Sequence, residues 1–486
     1  MKKVIHFVLI QFLVTVVFSQ DYGTGDNTTD ADLKKLLKAA ARSRGDRIDL
    51  PDSFSIKQYA PQPQNQGKLE TCVGWSTAYA ARTISYMIKK NLTHPDSIKK
   101  YAFSPGYIYY KIKDPADKNC TIGSKIQDAM AVMKSTGAIL KKDGLEDCMI
   151  NFSKKLEQKK ASPYLIKDYQ LRNENIGSFS ENDILDLKKS LTEKKPVVIS
   201  LKIDNSFNKV SANSIWSPSS VGRGHAMCIV GYNDSIGNGG SFEVMNSYGT
   251  SWGNQGFFWL SYKQLISYGR YALELMDAEA PTTRGNGFKN LEIAGKIEFL
   301  KIRGRCADGE KTVISVTDPK INTNGIITGN NKASEFNLYR LNDTLQNDTR
   351  FQIRFSASTQ SYIYIFSQDD KNIISEYFPP ENSTISAAIN SPNTNYYLPD
   401  EYSCGQLSSP GKENICILYS KSEINLKDLI QIIKVKKSNI LEVVKFKLGK
   451  RLIDVRKVDF NEKEIIFRAP ADENSVLCFF VEMVHN

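Results

Sequence analysis

Residues 64–78 run from a polar, glycine-containing loop into a helix-forming segment, and they read Gln64-Asn65-Gln66-Gly67-Lys68-Leu69-Glu70-Thr71-Cys72-Val73-Gly74-Trp75-Ser76-Thr77-Ala78. Cys72 stands at the junction between the loop and the segment. Beyond it, small and apolar residues recur at spacings of three and four, at Ala78, Ala81, Ser85 and Ile88. This periodicity predicts a helix with one buried face. The basic pair Lys89-Lys90 predicts its end, and Pro95 bars further extension.

Cys72 is therefore expected in the first turn of that helix, where unpaired amides and the helix dipole favour a thiolate. Gln66, six residues earlier, is placed to direct a side-chain amide toward an oxygen that develops charge beside the sulfur. The alternative is that Cys72 is a small buried apolar residue or half of a disulfide. A partner base is needed to decide between the two.

A base for Cys72 has to come from the histidines, and the chain contains four: His6, His94, His225 and His485. His6 lies in a predicted leader, His94 in a solvated turn and His485 next to the end of the chain. Only His225 begins an apolar strand, after the glycine-containing approach Gly222-Arg223-Gly224. His225 is thus the strongest candidate for a general base. The alternative is a hydrogen-bonded core histidine.

An imidazole base must be held in one tautomer by a third group. Asn246 closes the hairpin that starts near His225, so its side-chain oxygen is expected to reach the ring; the alternative is an ordinary turn asparagine. Trp252, with Gly249 and Gly253 nearby, is expected to shield that contact from water. The order Gln, Cys, His, Asn is far more specific than any of its members alone.

The amino terminus, Met1-Lys2-Lys3 followed by the apolar run Val4 to Phe18, predicts a secretory signal peptide over residues 1–19. The alternative is an uncleaved anchor, but the run is short for a membrane span. No other segment approaches transmembrane length. The sequence therefore predicts a secreted or periplasmic protein that begins at Gln20.

The mature chain is predicted to fold as an α+β protein. Residues 20–48 form an N-terminal segment whose stretch Thr29–Arg42 predicts a short amphipathic helix; a surface helix that tethers the domain is favoured over a small pro-segment that covers a cleft. Residues 49–277 are helical first and β later, which predicts two lobes with a cleft between them. Residues 278–289 form a linker, and residues 290–486 an all-β accessory domain with one late helix, Leu426 to Ile433.

The composition limits the possible partners and cofactors. The net charge is +11, but the basic residues are scattered, so no nucleic-acid surface is predicted. The cysteine and histidine spacings match no metal site, and no cofactor is implied. In an exported chain disulfides are allowed. With Cys72 reactive and Cys228 left free in an apolar strand, the pairs considered are Cys120–Cys148, Cys404–Cys416 and Cys306–Cys478.

Over residues 50–276 the sequence resembles the papain family of cysteine peptidases. The matching stretches are Asn65-Gln66-Gly67 with Cys72, Gly224-His225-Ala226 with Val230-Gly231-Tyr232, and Asn246 to Gly253. The resemblance implies a two-lobed peptidase with a helical lobe and a β-barrel-like lobe. It departs from many members at Leu69, which replaces a disulfide cysteine, and at Tyr248, which replaces a tryptophan. A long inhibitory pro-segment is also missing, and these features resemble a bacterial branch of the family.

By this resemblance Cys72 is the nucleophile and His225 the general base and acid. Asn246 orients His225, and Gln66 is the oxyanion donor beside the Cys72 amide. The implied substrate-binding residues are Gly123, Ser124, Gly224, Ala226 and Trp252; they do not settle a side-chain preference.

The expected function is hydrolysis of peptide bonds in polypeptide substrates through a thioester acyl-enzyme. The alternatives are an acyl transferase or amidase with the same triad, and an inactive peptide-binding scaffold. The stretch Phe351 to Ile433 more loosely resembles an uncharacterised β-rich domain family found behind bacterial enzymes. That likeness suggests that the C-terminal domain binds a protein or surface partner.

Overall fold

The computed structural model describes residues 22–143, 154–212, 214–218, 220, 222–277, 282–283, 289–317, 337–406, 410–436, 438–461 and 464–486. The predicted signal peptide and Cys148 lie outside these residues.

The helices of the described residues are α1 Asp30–Leu33, α2 Gly45–Ile48, α3 Cys72–Gly74, α4 Thr83–Lys90, α5 Pro95–Tyr101, α6 Pro105–Ile112, α7 Ile126–Ser135, α8 Lys154–Ala161, α9 Glu181–Thr192, α10 Tyr262–Tyr268, α11 Leu426–Lys436 and α12 Ile440–Leu448. A π-helical stretch, Trp75–Arg82, joins α3 to α4. Short 3₁₀ turns lie at Lys57–Tyr59, Lys141–Asp143, Ser162–Tyr164, Asn205–Lys209, Gly449–Arg451 and Val455–Lys457.

The strands are β1 Ser53–Ser55, β2 Asp168–Leu171, β3 Val197–Ile203, β4 Arg223–Asn233, β5 Ser241–Met245, β6 Phe257–Ser261, β7 Gly269–Met276, β8 Thr282–Thr283, β9 Lys289–Arg303, β10 Glu310–Ile314, β11 Val316–Thr317, β12 Asn337–Leu341, β13 Arg350–Ala357, β14 Ser361–Asp369, β15 Ile374–Phe378, β16 Ala388–Ile389, β17 Tyr396–Leu398, β18 Gly405–Gln406, β19 Gly411–Ser420, β20 Asp459–Asn461, β21 Glu464–Ala471 and β22 Val476–His485.

The helix that carries Cys72 is continuous through α3, the π-helical stretch and α4. Ala78 and Ala81 are fully buried, as predicted, whereas Ser85 and Ile88 are half-buried and Ile84 and Met87 are the fully buried residues of the later turns. The helix ends at Lys90, and Asn91 follows in the left-handed conformation with φ of 51°. Both the helix and its predicted end are therefore confirmed, whereas its π-helical middle has no sequence signal.

The N-terminal half of the chain contains one seven-stranded sheet, in the order β2-β7-β3-β4-β5-β6, with β1 added to β4. All its neighbours are antiparallel, and Ser200 on β3 lies between Ala226 on β4 and Tyr271 on β7. This sheet and the Cys72 helix share a single hydrophobic core. The order predicted from the sequence, helices first and strands later, is confirmed.

The helix predicted over Thr29–Arg42 is wrong beyond its first turn. Thr29 caps α1 in a capping box with Asp32, but α1 ends at Leu33. Further on, Lys38 makes parallel backbone bridges to Leu171 and to Ile385. Hydrogen bonding to strands on both sides requires an extended backbone, and it outweighs the local helical preference of this segment.

A buried group of charges, called the interface cluster below, consists of Arg42, Arg172, Lys195, Asp186, Glu193 and Glu274. Arg42 has no exposed side-chain surface, lies 2.9 Å from Asp186, and donates to the Ser391 hydroxyl of the C-terminal half. Asn390 donates to Glu274 from the same loop, at 2.9 Å. Burial opposes ionisation of the three carboxylates, but the basic neighbours outweigh it and lower the pKa of each one. The cluster thus ties the N-terminal segment to both halves.

The C-terminal half is built from two sheets. One has eight strands, in the order β17-β13-β9-β21-β20, with β8 and β10 added to β9 and β18 added to β13. The other has seven, in the order β11-β12-β22-β19-β14-β15, with β16 added to β14. The helices α11 and α12 cover the second sheet, with their apolar side chains packed on Tyr362, Tyr364 and Phe366. The predicted late helix is present as α11, while α12 is an additional one. Within the described part of the chain, every helix is too short or too polar to cross a membrane.

The disulfide predictions are partly wrong. Cys306 bonds to Cys404, so the predicted pairs Cys404–Cys416 and Cys306–Cys478 do not form. Cys416 and Cys478 are free and buried on the neighbouring strands β19 and β22, with their sulfur atoms 4.0 Å apart. Both belong to the core beneath α11 and α12, which separates them from the loops that hold the bonded pair.

The remaining cysteines agree with expectation where the structure describes them. Cys228 is free and buried, as predicted. Cys120 takes part in a disulfide, and its predicted partner, Cys148, lies outside the described residues.

Candidate active site

Cys72 is the first residue of α3, and its side chain is buried in the groove between the helix and the sheet. The backbone N–H of Ala226 on β4 donates to its sulfur at 3.5 Å. Burial raises the pKa of Cys72 well above its usual value, N–H donation from Ala226 counteracts this, and the Asp26 and Glu70 carboxylates raise the pKa further. The sulfur is therefore held as a thiol in this arrangement.

His225 immediately precedes Ala226, so the strand that contacts the sulfur also carries the imidazole. Its Nε2 lies 2.8 Å from Oδ1 of Asn246. Its Nδ1 is buried and has no hydrogen-bond partner among the described residues. Burial lowers the pKa of His225 to about 4, and the hydrogen bond to Asn246 acts in the opposite direction. A neutral imidazole with Nε2 protonated toward Asn246 leaves Nδ1 as a free acceptor.

Gln66 lies on the loop before α3, and that loop is bonded to the loop after β5. The Gln66 N–H donates to the Ser247 carbonyl at 2.8 Å, and the Ser247 hydroxyl donates to Oε1 of Gln66. Because Oε1 is held in this way, the amide Nε2 of Gln66 points away from Ser247. It donates to the carbonyl oxygens of Gly23, at 3.1 Å, and Leu69, at 2.7 Å.

The aromatic rings that contact His225 are those of Phe207 and Tyr248, with centroids 5.8 and 5.1 Å from the imidazole. Trp252 packs behind them, 4.9 Å from Phe207 and 5.5 Å from Tyr248. Its indole N–H donates to the Phe207 carbonyl. Trp252 therefore supports the rings beside His225, and Phe207, which had no motif to mark it, occupies the position nearer the imidazole.

The groove is occupied by the chain's own N-terminal segment. The Asp26 N–H donates to the Gly224 carbonyl at 3.2 Å. The backbone of Ser124 accepts from the Asn27 N–H at 2.9 Å and donates its own N–H to the Gly25 carbonyl at 2.8 Å. The Gly23 N–H donates to the Gly67 carbonyl. The surface helix predicted above covers Thr29–Arg42 and does not include residues 23–27. These residues lie along the groove without helical structure, and Asp26 forms a backbone bridge to Ser124.

Two glycines allow this close approach. A Cβ atom at position 23 would lie 2.0 Å from the Leu69 carbonyl oxygen, and one at position 25 would lie 2.3 Å from that of Glu70. Gly25 also has φ of +100°, which other residues rarely adopt. Tyr22 stacks on Tyr248, with ring centroids 4.0 Å apart. In the sequence, the feature that corresponds to this close approach is the short run Gly23-Thr24-Gly25-Asp26.

The structure brings together Cys72, His225, Asn246 and Gln66, and it places Gly123, Ser124, Gly224 and Ala226 along the same groove. At Gly123, where φ is +90°, a Cβ atom would collide with the Gly25 carbonyl. No sequence pattern predicted the residues of the sheet that contact the Asp26 carboxylate, which are Ser200, Arg270 and Tyr271. None of them belongs to a recognisable motif.

A family model described as "Papain family cysteine protease" matches residues 50–272. Residues 50–272 belong to the papain family. The predicted α+β fold class with a papain-like domain is thereby confirmed, and the protein is a cysteine peptidase that acts on polypeptides. A second model, "Domain of unknown function (DUF4384)", matches residues 344–423 within the β-rich C-terminal half.

Several solved structures are similar to the papain-family domain. Xylellain, a cysteine protease from Xylella fastidiosa, is 21% identical, with 54% of this chain and 97% of that chain covered and a TM-score of 0.42. Procathepsin B from Trypanosoma congolense is 16% identical, with 54% and 87% covered and a TM-score of 0.40. Bromelain from Ananas comosus in complex with the E64 inhibitor is 18% identical, with 47% and 100% covered and a TM-score of 0.38. None of the curated proteins compared with the chain matches it significantly.

Proposed function

We propose that this papain-family domain hydrolyses peptide bonds with Cys72 as nucleophile, His225 as general base and acid, and Asn246 as the residue that orients the imidazole. One observation carries the proposal: the buried His225 ring is held by Asn246 at 2.8 Å, with Nδ1 left unbonded among the described residues and the next residue's N–H on the Cys72 sulfur. A nucleophile, a base and an orienting amide are the parts that thiol acyl transfer requires.

In the proposed reaction His225 Nδ1 takes the proton of Cys72, and the thiolate attacks the peptide carbonyl carbon. The oxyanion accepts hydrogen bonds from Nε2 of Gln66 and from the Cys72 backbone amide. The C–N bond breaks as His225 protonates the leaving amine, which leaves a thioester. Water, deprotonated by the same imidazole, attacks the thioester, and the acid product and the free thiol are released.

We also propose that the chain as it stands is latent. The Gly23 carbonyl engages the Gln66 amide that the oxyanion needs, and burial holds Cys72 as a thiol and His225 as a neutral imidazole. Withdrawal of residues 23–27 from the groove would free Gln66 and admit water, and both pKa shifts would diminish. The exposed turn at Lys34-Lys35, immediately after α1, is where a cut would release this segment.

Export by the predicted signal peptide, residues 1–19, is part of the same proposal, and the Cys306–Cys404 disulfide is in keeping with an oxidising compartment. The C-terminal domain is proposed to bind a protein or surface partner.

The test is active-site labelling with an epoxide thiol probe. A site-specific protease sequence is inserted between Lys34 and Lys35 of the full-length protein, so that the groove can be opened by a cut. We expect Cys72 to be labelled after the cut and the label to be absent in Cys72→Ala. Cys228→Ala is the matched control and should be labelled like the wild type. Burial raises the pKa of Cys228, so this thiol should not react with the probe.

Peptide cleavage is then measured with the cut protein. An unlabelled Cys72 after a complete cut would refute the catalytic proposal and favour the scaffold alternative. Labelling with acyl transfer to an added amine, but without peptide hydrolysis, would favour the transferase alternative.

A further inference from the structure

The groove contains a polar pocket that the reaction as described does not use. Its walls are Ser200 on β3, Arg270 and Tyr271 on β7, and it holds the side chain of Asp26. The Asp26 carboxylate has no exposed side-chain surface. The Tyr271 hydroxyl donates to it and lies 2.9 and 2.8 Å from its two oxygens, and the Ser200 hydroxyl donates to it as well. The Arg270 guanidinium lies 3.4 Å away.

The pocket adjoins the reacting groups through the sheet register. Ser200 lies opposite Ala226, the residue whose N–H contacts the Cys72 sulfur. The backbone of Asp26 bonds to Gly224, one residue before His225. Asp26 is also close enough to Cys72 for its charge to raise the pKa of the thiol. A side chain that enters this pocket therefore belongs to a residue close to the reacting carbonyl.

The lining of the pocket selects for charge. Tyr271 is fully buried, and both burial and the Asp26 carboxylate raise its pKa, so its hydroxyl remains a hydrogen-bond donor at neutral pH. When the cut chain, which includes residues 23–28, leaves the groove, Ser200 loses Asp26 as its acceptor, and Tyr271 and Arg270 lose both Asp26 and Thr28. An aliphatic side chain would keep these donors from water without pairing them, which costs about 1–3 kcal/mol for each group. A carboxylate would restore every bond that the Asp26 carboxylate accepts.

The charges around the pocket do not oppose this choice. Glu70, another carboxylate that contacts the segment, already pairs with Arg223 at 3.1 Å and accepts from Thr24. Arg270 also donates to the carbonyl of Thr28, the residue after the segment, and this contact is lost when the cut chain up to Lys34 leaves the groove. Arg270 then remains as the basic group of the pocket, with no acid of the sheet bonded to it among the described residues.

We infer that this peptidase selects substrates with an acidic side chain, aspartate above all, at one fixed position next to the scissile bond, and that Ser200, Arg270 and Tyr271 are the specificity-determining residues. Asp26 is the chain's own ligand for the same pocket. The inference rests on the proposed peptidase function and names its substrate class.

The test uses the full-length protein cut between Lys34 and Lys35 and a synthetic peptide library randomised around the cleavage site. We expect enrichment of Asp and Glu at a single position. Matched peptides that differ there only as Asp, Asn or Leu should show kcat/KM roughly 10-fold higher for Asp than for Asn, and roughly 100-fold higher than for Leu.

Variants connect the preference to the pocket. Arg270→Gln should reduce the Asp-to-Asn ratio to near unity, and Ser200→Ala, a smaller change that preserves the core, should reduce it several-fold. Arg468→Gln, an exposed arginine of the C-terminal half, is the control that should leave the ratio unchanged. If the enzyme cleaves peptides but prefers an aliphatic residue, or shows no preference at any position, the inference about acidic substrates is overturned and the proposed hydrolysis is not. An enzyme that labels at Cys72 and cleaves no peptide would overturn the proposed hydrolysis and the inference with it.

Discussion

Asp26→Ala in the uncut full-length protein should weaken the binding of residues 23–27 in the groove. The substitution removes the carboxylate that accepts from Ser200 and Tyr271, and leaves the Tyr271 hydroxyl with Thr28 as its remaining acceptor. Each hydrogen bond to a charged group contributes about 1.5–3 kcal/mol net. Two bonds at the lower figure give about 3 kcal/mol. Since each 1.4 kcal/mol is a factor of ten, the population with an open groove should rise roughly 100-fold.

The assay is the rate at which the epoxide probe modifies Cys72, followed by mass spectrometry. When the segment opens and closes faster than the probe reacts, the labelling rate follows the open population. The rate should therefore rise roughly 100-fold in Asp26→Ala and by a smaller factor in Asp26→Asn, which keeps a neutral acceptor. Asn27→Ala is the neighbouring control, because Asn27 is exposed and its side chain, among the residues that the structure describes, donates only to the Ile122 carbonyl. It should change the rate less than about 5-fold.

One result would refute this reasoning. If Asp26→Ala folds with the wild-type melting temperature and labels within about 3-fold of the wild-type rate, residues 23–27 do not control access to Cys72. The latency proposal would then fail, although the triad and the pocket could still be tested in the cut protein.

Four further predictions concern the triad, the interface cluster and the disulfide. Asn246→Ala should lower kcat of the cut enzyme about 100-fold with little change in KM, because the imidazole tautomer is no longer held; fluorogenic peptide hydrolysis checks this, and an unchanged kcat would remove Asn246 from the mechanism. Arg42→Met should cost about 3–5 kcal/mol in guanidinium unfolding because it leaves buried carboxylates uncompensated, whereas exposed Arg468→Gln should cost less than about 0.5 kcal/mol. The carboxylates of the cluster have pKa values below their usual 3.8 and 4.5, so the stability they confer is complete above about pH 5 and is lost as pH falls below about 4; melting curves between pH 6 and pH 3 should show this fall, and a flat profile would contradict it. Cys404→Ser should lower the stability of the C-terminal half by about 2–4 kcal/mol, since the bond to Cys306 spans a separation of 98 residues, without changing the labelling of Cys72.

Much of the candidate active site could be predicted because its members carry local signals. The helix after Cys72 follows from the spacing of Ala78 and Ala81, and His225 stands out because it begins an apolar strand. These patterns report backbone preference and burial, which act over a few residues. They located the papain-family domain and the residues that the structure brings together around the sulfur.

The tertiary structure alone decided what fills the groove and how the cysteines pair. Asp26 meets Ser200 and Tyr271 only because β3 and β7 are neighbours in the sheet, and no local pattern reports that adjacency. The same holds for Cys404, whose nearest cysteine in sequence, Cys416, lies in a core strand while Cys306 lies beside it in space. A short segment with helical preference became extended where strands on both sides offered hydrogen bonds. Which ion pair, disulfide or strand pairing a residue joins depends on the distance between elements that are far apart in the chain. Local sequence patterns do not report those distances.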